Sequence, residues 1–303
     1  MTQPKQGFSL HSMTKTKTLH TSRHRSESAH DDSAAPGSTS VFTNILCAVD
    51  GTQTSTAAVE MAASLAGPDG HLTLLAVTAV SGSGAYTTAA ISPGRVDLVL
   101  SNAKRIADHA GVPSSTVVDP GGPPIEVILG RASDHDLLAI GAPATSWLGG
   151  VLTGGVATAA LSQFTTPMLV ARSFTGSLKG RQILVASDGE EGSGHIVDLA
   201  GRLGQSQGAQ VTLVNALGAE SKLNPRTIQA QARALQLALP NAGEPCIEPG
   251  KAWDVILDAA KHTKASLVVI GSRRLHGLHA FGSVSRRVVH DAHCSVLVIP
   301  PGQ

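Results

Sequence analysis

The sequence predicts an α/β protein built from two tandem doubly wound parallel sheets, each of five strands in the order 3-2-1-4-5. Three observations carry this expectation. The chain states one pattern twice: Ile45-Leu46-Cys47-Ala48-Val49-Asp50-Gly51 returns as Ile183-Leu184-Val185-Ala186-Ser187-Asp188-Gly189, and Leu137-Leu138-Ala139-Ile140-Gly141 as Leu267-Val268-Val269-Ile270-Gly271. Three further segments recur in the same order, so the repeat is a whole domain and not a short solenoid unit. Within each copy, short apolar runs alternate with helical spacing, the mark of βαβ units and a parallel sheet. The runs are apolar throughout and do not alternate, as strands covered on both faces require.

Each element of the first copy follows from its residues. Val41–Val49 and Leu72–Val80 read as strands. Between them Ala58, Val59, Ala62 and Leu65 fall at helical spacing, with Thr54 or Ser55 as N-cap. Ser81–Pro93 is a small-residue loop and Val96–Ala110 a helix. Ser115–Val118 is a short strand, Pro124–Ala132 a helix, Asp136–Ile140 the fourth strand, Val156–Gln163 a helix and Pro167–Ala171 the last strand. The domains expected are 41–172 and 181–303, joined by a linker at 173–180. Residues 1–40 carry few apolar side chains and are expected to be a disordered tail. Pro167–Ala171 and Ser295–Ile299 are apolar edge strands that would invite aggregation if left open, so they are expected to pair across an internal pseudo-twofold axis.

Composition limits the function classes. Among 303 residues, 23 basic and 22 acidic side chains give a formal net charge of +1. That balance gives no support for nucleic-acid or membrane attraction. The apolar runs are strand-length, short of the roughly 20 residues of a membrane helix. Cys47, Cys246 and Cys294 are odd in number and lack ligand spacing, which fits reduced thiols and a cytoplasmic protein. His290, His293 and Cys294 have no second ligand pair, so no metal site is expected. No nucleophile elbow, phosphate-loop or dinucleotide fingerprint is present, so no enzyme is expected; slow ATP hydrolysis stays open but has no base or nucleophile to carry it.

A doubly wound sheet binds ligands at the carboxyl ends of its strands, where the strand order reverses. Asp50 and Asp188 end strand one of each copy; Gly141 and Gly271 end strand four. Each Asp could equally cap its helix or brace the following Gly turn. Arg286 and Arg287 are open between a phosphate clamp and a solvated helix face, and Gly282–Ser285 between a ligand loop and a plain helix start.

Taken together, Val49-Asp50-Gly51-Thr52, Ile270-Gly271-Ser272-Arg273, Gly282-Ser283-Val284-Ser285 and Ala292-His293-Cys294-Ser295-Val296-Leu297-Val298-Ile299 resemble the universal stress protein family, in its tandem two-domain form. The resemblance covers about residues 41–300. It implies a Rossmann-like fold of the adenine nucleotide alpha-hydrolase type. It also implies a site for ATP or a related adenine nucleotide, formed by Gly-x2-Gly-x9-Gly-(Ser/Thr) after strand four. Glycines let backbone approach phosphate closely, and the second part opens a helix whose free N–H groups favour an anion. The resemblance further implies that the Asp after strand one lies near the adenosine end and that a strand-two residue, Val77 or Ala216, touches adenine.

Neither copy keeps the pattern whole. In the first, Gly141 and Gly154 stand at the right spacing, but Ala144 replaces the second Gly, Pro143 stands where many members carry Arg, and Gly155 and Ala157 replace hydroxyl residues. In the second, Gly271, Arg273 and Gly282-Ser283-Val284-Ser285 match, Arg274 replaces Gly, and the spacer is shorter by two residues. A hydrogen bond to a charged group contributes about 1.5–3 kcal/mol, so losing two hydroxyls would weaken the first site by roughly 100-fold or more. The expected site is therefore Asp188, Ala216, Gly271, Arg273, Arg274, Gly282, Ser283, Val284 and Ser285, with Asp50, Val77, Gly141, Gly154 and Gly155 as a degenerate counterpart. The reading is a stress-response sensor or scaffold whose partner is an adenine nucleotide, with a homo-oligomer possible. The alternative is a structural or protein-interaction module in which both sites have decayed.

Overall fold

The structure, a computed structural model, describes residues 40–78, 91–142, 156–174, 176–217, 225–272 and 283–301. The first half comprises β1 (Asn44–Ala48), α1 (Gln53–Ala66), β2 (His71–Val77), α2 (Val96–His109), β3 (Ser114–Asp119), α3 (Pro124–Ala132), β4 (Leu137–Gly141), α4 (Val156–Leu161) and β5 (Met168–Ala171). The second comprises β6 (Gln182–Ala186), α5 (Gly194–Gln207), β7 (Gln210–Leu217), α6 (Pro225–Ala238), β8 (Cys246–Pro249), α7 (Ala252–His262), β9 (Leu267–Gly271), α8 (Ser283–Asp291) and β10 (Ser295–Ile299). The predicted tail, up to residue 39, and most of the 81–93 loop lie outside the described residues.

Local chemistry sets the element ends. The N-cap of α1 lies two residues before Thr54, the nearer of the two expected caps. Thr52, in extended backbone, is the N-cap and accepts the Ser55 N–H at 3.2 Å. The reason is the Asp50-Gly51-Thr52 turn, which delivers a capping hydroxyl earlier than the periodicity of apolar residues reveals. Gly208 ends α5 in the left-handed region at φ 59, where a Cβ is unfavourable.

The strands form one ten-stranded sheet in the order β3-β2-β1-β4-β5-β10-β9-β6-β7-β8. This corrects the expectation of two five-stranded sheets. Each half has the expected 3-2-1-4-5 order, but the halves meet through β5 and β10, which pair antiparallel with Leu297 opposite Leu169. All other pairings between named strands are parallel. The physical cause is the one that suggests pairing in the sequence. Both strands are wholly buried, and an apolar edge is stabilised when its N–H and C=O groups find a ladder.

One core layer lies on each face and runs across both halves. On one face Ile45, Met61, Leu65, Leu169, Leu297, Ile183 and Leu203 meet under α1, α2, α5 and α6. On the other Leu46, Leu138, Met168, Val298, Val268 and Ile256 meet under α3, α4, α7 and α8. Each buried aliphatic side chain contributes about 1.5–3 kcal/mol. The predicted linker also joins this packing: Phe174 and Leu178 are buried, and Leu178 donates its N–H to Ser64 Oγ on α1 at 3.0 Å.

A buried charged side chain, Arg172, also ties the halves together. Arg172, 3% exposed at the end of β5, donates from Nη1 to Ala142 O at 3.1 Å and from Nη2 to Val289 O and His290 O, the latter at 3.2 Å. The last two acceptors are final-turn carbonyls of α8, where a helix dipole favours a cation. The pseudo-equivalent residue after β10 is Pro300, so the clasp runs one way only.

Candidate functional site

Because the sheet is parallel within each half, the ends of strands one, two and four share one edge. In the second half Val185 pairs with both Leu213 and Val269, so Asp188, Ala216 and Ser272 come three residues later on neighbouring strands. In the first, Cys47 pairs with Leu74 and Ala139, which leads in the same way to Asp50, Val77 and Ala142. Strand order reverses at β1 and β6, which is where such sheets take ligands.

Both aspartates brace their own turns. Asp50 Oδ1 accepts the Thr52 N–H at 2.9 Å and its hydroxyl at 2.6 Å. Asp188, which is exposed, accepts the Glu190 N–H on Oδ1 at 3.0 Å. Gly51 and Gly189 follow at φ 79 and 75, a backbone region that favours glycine.

The strand-four glycines have packing roles. A Cβ on Gly141 would lie 2.3 Å from the Thr54 carbonyl carbon and 2.4 Å from Ser55 N, so this glycine admits the first turn of α1 onto the end of β4. A Cβ on Gly271 would meet Ile196 Cδ1 at 2.4 Å, the far end of a flexible side chain.

Helix α8 lies between parallel β9 and β10, so its N-terminus is at the ligand edge. Ser283, its first residue, is exposed; Val284 is half-buried; Ser285 is buried at 3%. The sequence treats Ser283 and Ser285 alike, but a hydroxyl two helical positions on turns to the sheet. Arg286 is exposed, whereas Arg287 pairs with Asp291 at 2.5 Å. Arg273, Arg274 and Gly282, and in the first half Gly154 and Gly155, lie outside the described residues. Val77 is buried, Ala216 half-buried, and Asp50, Gly141 and Gly271 half-buried.

Several residues at this edge escape motif reading. Ser272 is 4% exposed, and its hydroxyl has no hydrogen-bond partner among the described residues. Ser187, Ser193, Asn215 and Gln231 form a buried polar network beneath the Asp188 turn. The signal was there in the duplication. Ala142 faces Ser272, Val49 faces Ser187 and Ala76 faces Asn215 when the copies are aligned.

Ionisable groups elsewhere behave as structural ones. Burial pushes the Cys47 thiol up to about 12 and the Cys294 thiol up to about 11. The Arg131 guanidinium, bonded to Asp119 at 2.8 Å, holds that carboxyl below its ordinary value. Among the described residues no group of three or more His, Cys, Asp or Glu side chains could hold a metal, and no helix is long and apolar enough to cross a membrane.

Comparison with known proteins rests on sequence and shape separately. The model of the universal stress protein family matches residues 42–172 and again 180–300. Universal stress protein Sll1388 of Synechocystis is 50% identical over 54 residues, a stretch covering 17% of this chain and 33% of that protein. Thus the chain matches about one third of that relative's length. Among solved structures, a universal stress protein from Archaeoglobus fulgidus superposes with a TM-score of 0.67 at 17% identity, over 87% of this chain and 97% of that one. A functionally unknown protein from Pseudomonas aeruginosa PAO1 gives 0.58 at 18% identity, over 86% of this chain and 93% of that one. Those two likenesses concern the fold; the double family match spans most of the sequence, and the chain belongs to the universal stress protein family.

Proposed function

We propose that this protein binds ATP or a related adenine nucleotide in its second half and acts as a sensor or scaffold, without fast turnover. The observation that carries the reading is the asymmetry of the ligand edge. Asp188, Ala216, Gly271 and the N-terminus of α8 share that edge in the second half, and Ser272 adds a buried hydroxyl with no partner among the described residues. The first half has Ala142 instead, and its carbonyl is taken by Arg172. At the start of α8 the Ser283 N–H lacks an intrahelical acceptor and suits a phosphate. Ser283 Oγ, exposed beside it, adds a second donor. Ser285, being buried, supports the helix and does not contact the ligand.

The interaction-module alternative keeps one observation in its favour. Both aspartates already brace turns, and both strand-four glycines are accounted for by packing. Thermal unfolding with and without ATP separates the two. Ligand at 100 times its Kd stabilises by about 2.7 kcal/mol, which raises Tm by roughly 5–10 °C. An unchanged Tm at millimolar ATP favours the module.

A further inference from the structure

The two halves build the same turn on different foundations. In the first half the residues beneath the Asp50 turn are Val49, Ala76 and Val99, at 5%, 0% and 6% exposure. In the second half the same places hold Ser187, Asn215 and Gln231, at 7%, 2% and 8%. The first two matches follow from sequence alignment. The third follows from burial: Ile228, Gln231, Ala232 and Leu235 of α6 repeat the buried places of Val96, Val99, Leu100 and Ala103 on α2. Val99 does sit under the Gly turn, since a Cβ on Gly51 would meet its Cγ2 at 2.7 Å.

The polar set brackets Asp188 from both sides. Asn215 Nδ2 donates to Ser187 O at 2.8 Å, and Ser187 Oγ accepts the Gly189 N–H at 3.1 Å. The Ser187 hydroxyl gives its proton to Gln231 Oε1 at 2.6 Å. Gln231 Nε2 donates to Glu190 O at 3.3 Å and to Ser193 Oγ at 3.1 Å. The Ser193 hydroxyl donates to Glu190 O at 2.7 Å. The Gln231 amide is thus used at both ends.

The first half keeps the counterpart of the Ser193 contact, with Ser55 Oγ donating to Thr52 O at 3.0 Å, but forms the same strand, turn and helix with apolar side chains in place of Ser187, Asn215 and Gln231, so the fold does not demand those three. Burying amides and hydroxyls costs more than burying the same volume of hydrocarbon unless every partner is met. Asn215 Oδ1 is left without a partner among the described residues. A local departure of this kind, with the cheaper solution present in the same chain, is expected at functional positions.

We propose that Ser187, Asn215 and Gln231 are positioning residues of the second-half site: they hold the Asp188-Gly189-Glu190 turn in the one geometry that meets the nucleotide. This rests on the nucleotide reading above for its ligand, but not for its structural half, which concerns the turn itself. The network replaces lateral freedom of the turn with fixed side-chain hydrogen bonds, the preorganisation a binding site needs.

The test transplants the first half's solution into the second. The triple variant Ser187→Val, Asn215→Ala, Gln231→Val carries side chains that the equivalent frame already accommodates, so its Tm should equal or exceed that of the wild type. Its ATP affinity, by calorimetric titration of the full chain, should fall at least tenfold. Amide exchange at Gly189 and Glu190 should quicken at least tenfold, while exchange at Gly51 and Thr52 stays unchanged. The isosteric pair Ser187→Val and Ser187→Thr keeps the test sound if the triple variant is poorly folded. Thr restores the hydroxyl, so it should keep ATP affinity and amide protection within about threefold of wild type, and Val should not. Unchanged exchange at Gly189 and Glu190 in a folded variant overturns the proposal, as does faster exchange with unchanged ATP affinity. If the wild type binds no ATP, the nucleotide reading fails and the exchange arm alone judges the positioning role.

Discussion

Replacing Arg172 with Met should loosen the junction between the halves by a predictable amount. Met keeps most of the apolar stem and removes, among others, the donated hydrogen bonds to Ala142 O, Val289 O and His290 O. Bonds to a charged group contribute about 1.5–3 kcal/mol each, so the gross loss is roughly 5–9 kcal/mol. Against this, the guanidinium no longer has to be buried, a relief of several kcal/mol. That same burial lowers the Arg172 pKa, with Cys294 and then Asp291 opposing it. The difference leaves about 2–4 kcal/mol of destabilisation. For a chain of this size that is a fall in Tm of roughly 5–15 °C. Urea denaturation followed by far-ultraviolet circular dichroism measures it, with Arg172→Lys alongside. One ammonium cannot span three carbonyls on two segments, so Lys should recover less than half of the loss. A destabilisation of Arg172→Met below about 0.5 kcal/mol would refute the clasp.

Further outcomes follow from single contacts. Gly141→Ala should destabilise by about 1–3 kcal/mol or more, because the new methyl meets backbone of α1, while Gly271→Ala meets only the tip of Ile196 and should cost less than half as much; chemical denaturation ranks them. Cys246, half-exposed, should react with iodoacetamide in the native protein, and the buried Cys47 and Cys294 only after unfolding, as peptide mass analysis will reveal. The Asp119 carboxyl is held low chiefly by its hydrogen bond from Arg131, so its contribution is present above the ordinary carboxylate pKa of about 4 and disappears as pH falls through the lowered value. Arg131→Ala should therefore flatten the acid limb of the stability curve, by no more than about 1 kcal/mol for so exposed a pair.

The fold was legible because duplication supplies its own control. Strands one, two, four and five of the first half each have a second writing in the chain, and the apolar edge runs Met168–Ala171 and Ser295–Ile299 need partners. What sequence could not convey is that their pairing merges both halves into one sheet and two continuous core layers, since that depends on contacts more than a hundred residues apart. Arg172 was invisible for the same reason: its acceptors are backbone carbonyls of a distant helix, and carbonyls leave no trace in side-chain identity. At the candidate site, the motif nominates Asp188, Gly271 and Ser283 but treats Ser283 and Ser285 as equals, because a motif carries no information on which hydroxyl faces the sheet. The Ser187–Asn215–Gln231 network has no motif of its own, because its members come from three separate segments; only the contrast between the two copies hints at Ser187 and Asn215.

The central claim is a nucleotide site at the second half's ligand edge, and calorimetric titration of ATP into wild type, Ser283→Ala and Asp50→Ala proteins tests it most directly. Loss of one charge-assisted contact of about 1.5–3 kcal/mol in Ser283→Ala should weaken binding by roughly 10- to 150-fold, with Asp50→Ala unchanged. Binding that survives Ser283→Ala and disappears in a folded Asp50→Ala protein would place the site in the first half and contradict the account.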